Sequence, residues 1–113
     1  QVTNYMFRDH FWRVTNQVGV AYGSDTDKVK NILLDVASKH PEVLEAAPNA
    51  PRVLFRAFGE SSLDFELWSI IKDVNRKNDI TSDLNFAIDQ AFRQHNITIA
   101  FPQRDVHIKK DSN

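Results

Sequence analysis

Between residues 11 and 21 apolar and polar positions alternate: Trp12, Val14, Val18 and Val20 fall on one side, Arg13, Thr15 and Gln17 on the other. That is the period of a half-buried strand, and it ends at Tyr22-Gly23. The period then changes. Val29, Ile32, Leu33 and Val36 recur at helical spacing behind Ser24, a good N-cap with Asp27 three positions on, which predicts a helix over residues 25–39. His40-Pro41 stops it, because proline disfavours helical geometry in the residue before it. Residues 42–51, with two prolines, Asn49 and several alanines, read as a mobile surface connection or a short irregular helix.

Two strand-like runs follow, residues 52–58 and 63–71, separated by Gly59-Glu60-Ser61-Ser62, a linker of hairpin length. Phe65, Leu67 and Ile71 share a face of the second run. Beyond the polar stretch 72–78, Asn78 or Asp79 is expected to cap a second amphipathic helix with Ile80, Leu84, Ala87, Ile88, Ala91 and Phe92 as its stripe. Asn96 suits the left-handed position at its end. Residues 97–101 form a short apolar strand before Pro102. After that stop Val106 and Ile108 point one way and Asp105 and His107 the other, a further half-buried strand with no following sequence to cover its apolar side. A neighbouring chain would cover it.

The order strand, helix, hairpin, helix, strand is the split βαβ arrangement of ferredoxin-like α+β domains, βαββαβ, with two helices on one face of an antiparallel-rich sheet and an extra C-terminal strand. At 113 residues with 42% hydrophobic content the chain makes one core. A formal charge of -1 argues against a nucleic-acid footprint, which appears as a basic domain or stripe. The absence of cysteine excludes disulfides and thiolate metal sites. No apolar run approaches the length that spans a bilayer. The chain starts at Gln1 without an initiator methionine, which reads as a piece of a longer protein.

Several residue groupings could carry chemistry. Asp64 and Glu66 share a strand face, as an acid and base pair would, but the solvated side of an antiparallel strand explains them more simply. Asp105 and His107 have a spacing that suits two metal ligands without a visible third. His10, His40 and His95 lie at element edges and read as surface or cap residues. Gly59-Glu60-Ser61 resembles the front of a nucleophile elbow, yet position 63 is Leu and the run lies in a hairpin. Three glycines, Gly19, Gly23 and Gly59, form neither a phosphate loop nor a dinucleotide fingerprint. Asn96-Ile97-Thr98 matches the glycosylation pattern, with chance the simpler account. Phe55, Phe65 and Phe92 fall on core faces rather than a stacking platform, and Lys109-Lys110 beside Asp111 reads as a solvated tail. No catalytic residue, cofactor or metal ligand is therefore expected.

Four runs in one order carry a family resemblance: Val18-Gly19-Val20-Ala21-Tyr22-Gly23-Ser24-Asp25, Ser62-Leu63-Asp64-Phe65-Glu66-Leu67, Asp83-Leu84-Asn85, and Ile99-Ala100-Phe101-Pro102-Gln103-Arg104-Asp105-Val106-His107. Together they resemble the small-conductance mechanosensitive channel (MscS) family over nearly the whole chain. Val2-Thr3-Asn4-Tyr5 is similar to the last strand of that family's middle β domain, although Met6-Phe7 departs from the small polar residues usual there. The resemblance implies residues 1–10 as the tail of a β domain, 11–102 as the α/β wall of a heptameric cage on the cytoplasmic side of a bacterial inner membrane, and 103–113 as a strand and tail for an inter-subunit barrel. It carries over Phe101, Pro102, Gln103, Asp105, Val106, His107 and Ile108 as an oligomer interface. Its implied partners are other copies of the chain, the membrane through upstream helices, and small permeating ions, with no nucleic acid. Two other readings compete: a regulatory module binding a small molecule between helices and sheet, and a small hydrolase of the acylphosphatase kind. The latter needs an Arg in the loop after the first strand, where Tyr22-Gly23-Ser24-Asp25 has none.

Overall fold

A computed structural model of the chain, which describes residues 10–100, gives the order β1 (Trp12–Val20), α1 (Thr26–Ser38), β2 (Arg52–Phe58), β3 (Leu63–Ile71), a 3-10 turn (Val74–Arg76) and α2 (Lys77–Gln94). The strands make an antiparallel sheet in the order β1-β3-β2, so both outer strands run opposite to the central one. Alternation is complete in β3, where every second residue from Leu63 to Ile71 is buried. Leu63, Phe65, Leu67 and Ile71, with Val14, Val18 and Val20 of β1, meet Val29, Ile32, Leu33 and Val36 of α1 and Ile80, Leu84, Ile88 and Phe92 of α2 in one core. Each fully buried Leu, Ile or Phe there contributes about 1.5–3 kcal/mol relative to exposure. The core lies within the chain itself, as an independently folding unit requires. Both helices cover the same side of the sheet, α2 over β1 and α1 over β2 and β3.

The mixed α+β architecture and both amphipathic stripes follow the sequence pattern, but several local expectations change. Asp25, not Ser24, caps α1: its side chain accepts from the Lys28 N–H at 3.1 Å, while the Ser24 hydroxyl donates back to the Ala21 carbonyl at 2.7 Å. The second helix starts before Asn78 or Asp79. Asp73 accepts from the Asn75 N–H at 2.9 Å and opens the 3-10 turn, which runs straight into α2 at Lys77. Trp12 does not join Val14 in the core and is half-exposed at the strand's start. Asn96 takes the left-handed conformation, φ 59°, as expected.

The connection after α1 is anchored in its first half, with Val43 buried and the Leu44 N–H donating to the Ile70 carbonyl at 2.9 Å, beyond the point where β2 begins to pair with β3. Residues 97–100 form no full strand. They run antiparallel to β1 through a single bridge, Val20 to Ile99, with the Ala21 N–H donating to Thr98 O at 2.9 Å and the Ala100 N–H to Gly19 O at 3.0 Å. The expected strand at 105–108 lies outside the described residues.

Candidate functional surface

Three of the four runs that carry the family resemblance meet, through their described residues, at one end of the sheet. Gly19 pairs with Asp64 and Val20 with Leu63, and the same Gly19-Val20 edge receives residues 98–100 on its other side. Close packing sets the residue type here. A Cβ on Gly19 would sit 3.3 Å from the Ser62 side chain, and one on Gly59 would come within 2.8 Å of Asp64 Oδ2 and 3.0 Å of the Ser62 carbonyl. The β2–β3 turn closes on itself, Gly59 N–H to Ser62 O at 2.7 Å and Ser62 hydroxyl to Asp64 Oδ1 at 2.6 Å. Tyr22 fastens it to the β1–α1 connection by donating its hydroxyl to the Gly59 carbonyl. Ile97 and Ile99 pack against the core. The chain is thus held on the outer edge of β1 at the point where it continues toward residue 101.

The carried-over interface residues Phe101, Pro102, Gln103, Asp105, Val106, His107 and Ile108 lie outside the described residues. Asp64 and Glu66 do share the helix-free face, but each is engaged: Asp64 by Ser62, and Glu66 by the Trp68 indole N–H at 2.9 Å with Arg56 at 4.0 Å. Among the described residues no three His, Asp or Glu side chains could hold a metal ion. Nor is any described helix long and apolar enough to cross a membrane.

His40 is neither a free surface residue nor a cap. Its ring is about 10% exposed, Nδ1 accepts from the Glu42 N–H at 3.0 Å, and Nε2 lies 2.9 Å from Asp83 Oδ2, so it ties the end of α1 to α2. Beside it Arg76 holds Glu42 through two nitrogens, the shorter contact 2.8 Å, and Asp79 at 2.8 Å. The hydrogen bond from Arg76 lowers the Glu42 pKa below its ordinary 4.5, and the same contact raises that of Arg76. His95 is the C-cap of α2, and its carbonyl accepts from Lys28 Nζ at 3.2 Å.

Periodicity passes over two polar residues that the structure buries. Asn16 stands between Val14 and Val18 on the core side, 2% exposed, and its Nδ2 donates to Thr81 O at 3.1 Å and to Asn85 Oδ1 at 2.9 Å. Ser69 is fully buried opposite Val14. The signal for Asn16 was its position in the alternation, since a polar residue at an apolar phase needs a partner. Asn85, in the third resemblance run, supplies one.

A family model described as "Mechanosensitive ion channel MscS, C-terminal" matches residues 14–99. A relative described as an uncharacterized MscS family protein of Haemophilus influenzae is 40% identical over 111 residues, 98% of this chain and 10% of its own length. The mechanosensitive channel MscK of Escherichia coli is 38% identical over the same shares of each chain. The crystal structure of Helicobacter pylori MscS in its closed state superposes with a TM-score of 0.72 at 27% identity, covering 80% of this chain and 35% of that one. The chain spans about a tenth of the length of those two curated relatives.

Proposed function

The chain belongs to the MscS family of mechanosensitive ion channels, matching its C-terminal domain, and from that premise we propose that it forms the wall of an oligomeric cage around the cytoplasmic entrance of a tension-gated pore. In this reading the upstream polypeptide carries the membrane helices and senses tension. The cage sits on the inner face of a bacterial cell membrane, holds the subunits together and sets which solutes reach the pore. It acts without catalysis.

The observation that carries the proposal is the placement of residues 97–100 along the free edge of β1. The sheet order β1-β3-β2, with Ile99 bridged to the outer edge of β1, supports a ferredoxin-like βαββαβ reading in which residues 97–101 are the last strand. From there 103–113 are proposed to join their counterparts in a barrel, heptameric in the full-length channel, which removes exposed strand edges. Phe101, Pro102, Gln103, Asp105, Val106, His107 and Ile108 would form that junction. Charge at the cage openings acts on ions within a Debye length, about 8 Å at physiological ionic strength. Charge reversal at exposed positions of the full-length channel is expected to change single-channel conductance or ion preference. Unchanged values across a set of such reversals would remove filtering from the proposal.

A further inference from the structure

The sheet's helix-free face carries a grouping that packing does not explain. Trp68 stands at the middle of that face on the central strand, flanked by cations from both neighbours. Arg52 of β2 is its direct cross-strand partner, and Arg13 of β1, opposite Ile70, is its diagonal one. The guanidinium carbon of Arg13 lies 3.9 Å from the Trp68 ring centre and that of Arg52 5.6 Å. Both are within reach of a cation–π attraction.

The carboxylates on this face already have partners other than Arg13 and Arg52. Glu66 accepts from the Trp68 indole and has Arg56 nearby, and Asp64 accepts from Ser62. Among the described residues neither Arg13 nor Arg52 is within ion-pair distance of an acid. A guanidinium held over an indole keeps N–H donors available at its edges. Those edges match the two oxygens of a carboxylate in a bidentate pair.

We propose that the helix-free face is a binding site for a small dicarboxylate, one carboxylate on Arg13 and the other on Arg52, above the Trp68 indole. Exposed ion pairs contribute little each, so binding is expected to be weak, on the order of millimolar or weaker. The site is independent of the cage and pore reading.

The test uses the 113-residue chain carrying Trp12→Phe, which leaves Trp68 as its one tryptophan. Sodium succinate is titrated against sodium chloride of equal ionic strength, reading Trp68 emission and, in parallel, its indole N–H resonance. The expected result is a saturable succinate response in either signal, with affinity lowered at least fivefold by Arg13→Gln or by Arg52→Gln while circular dichroism stays unchanged. A response to succinate no different from that to chloride overturns the proposal, as does one undiminished in the double variant. Saturation by inorganic phosphate but not by succinate overturns the carboxylate assignment.

Discussion

Asn16→Asp changes one side-chain nitrogen to oxygen and should have an effect out of proportion to its size. The Asn16 amide nitrogen faces two acceptors, the Thr81 carbonyl at 3.1 Å and the Asn85 side-chain oxygen at 2.9 Å, in a position 2% exposed. A carboxylate there would place an acceptor against acceptors with little access to water. Rather than remain charged, the group takes up a proton, and protonating an aspartate of ordinary pKa near 3.9 costs about 4 kcal/mol at pH 7. Once protonated it donates one hydrogen bond where the amide donated two, a further loss of about 1 kcal/mol. The sign of the pH dependence follows. The folded-state pKa is raised above the unfolded value, so the variant is least impaired below about pH 3.9 and loses about 1.4 kcal/mol per unit as pH rises toward neutrality. Urea unfolding of variant and parent at pH 5, 6 and 7 measures the difference, with changes in other groups cancelling between them. A gap under about 1 kcal/mol at pH 7, or one that does not widen from pH 5, would refute the assigned hydrogen bonds.

Three other substitutions read different parts of the fold. Ser69 is fully buried and its hydroxyl has no partner among the described residues, so Ser69→Ala should leave thermal stability unchanged or raise it by up to about 1 kcal/mol; a loss of 2 kcal/mol would contradict that environment. Gly59→Ala brings a methyl to 2.8 Å from Asp64 Oδ2 and 3.0 Å from a backbone carbonyl, and denaturant unfolding should show a loss of about 1–3 kcal/mol. An unchanged midpoint would mean that the β2–β3 turn is looser than described. Glu42 has its pKa lowered by Arg76, so its contribution is complete above 4.5 and fades as pH falls below that value. The melting-temperature gap between parent and Glu42→Gln should close on acidification and shrink with added salt, and a gap that grew in acid would reverse the assignment.

Elements with strict periodicity were legible before any coordinates. Strand β3 and the core stripe of α2 depend on which side chains are apolar, and burial of Leu67, Leu84 or Phe92 follows from that. Local competition between capping groups was not legible. Ser24 and Asp25 are both good caps, and the choice fell to Asp25 because Ser24 turned its hydroxyl to Ala21. Nor did sequence place Asp73 at the head of the turn before α2, where a polar run offers several equivalent caps. His40 read as an edge residue because its partner Asp83 is 43 positions away. The stack of Arg13 and Arg52 about Trp68 was missed for the same reason, since only strand register brings three separate strands' residues together. Three of the resemblance runs, distant in sequence, are neighbours in space, with Gly19, Ser62 and Ile99 at one sheet end.

The most direct test of the cage-wall reading is to end the full-length channel at Gln103 and measure its oligomeric mass in detergent beside that of the intact protein. Circular dichroism of the isolated domain cut at the same residue serves as the control. The account predicts a domain that stays folded and a channel whose assembly is weakened, with smaller species gaining at the expense of the complete ring. A truncated channel that assembles like the parent, or a truncated domain that unfolds, would contradict it.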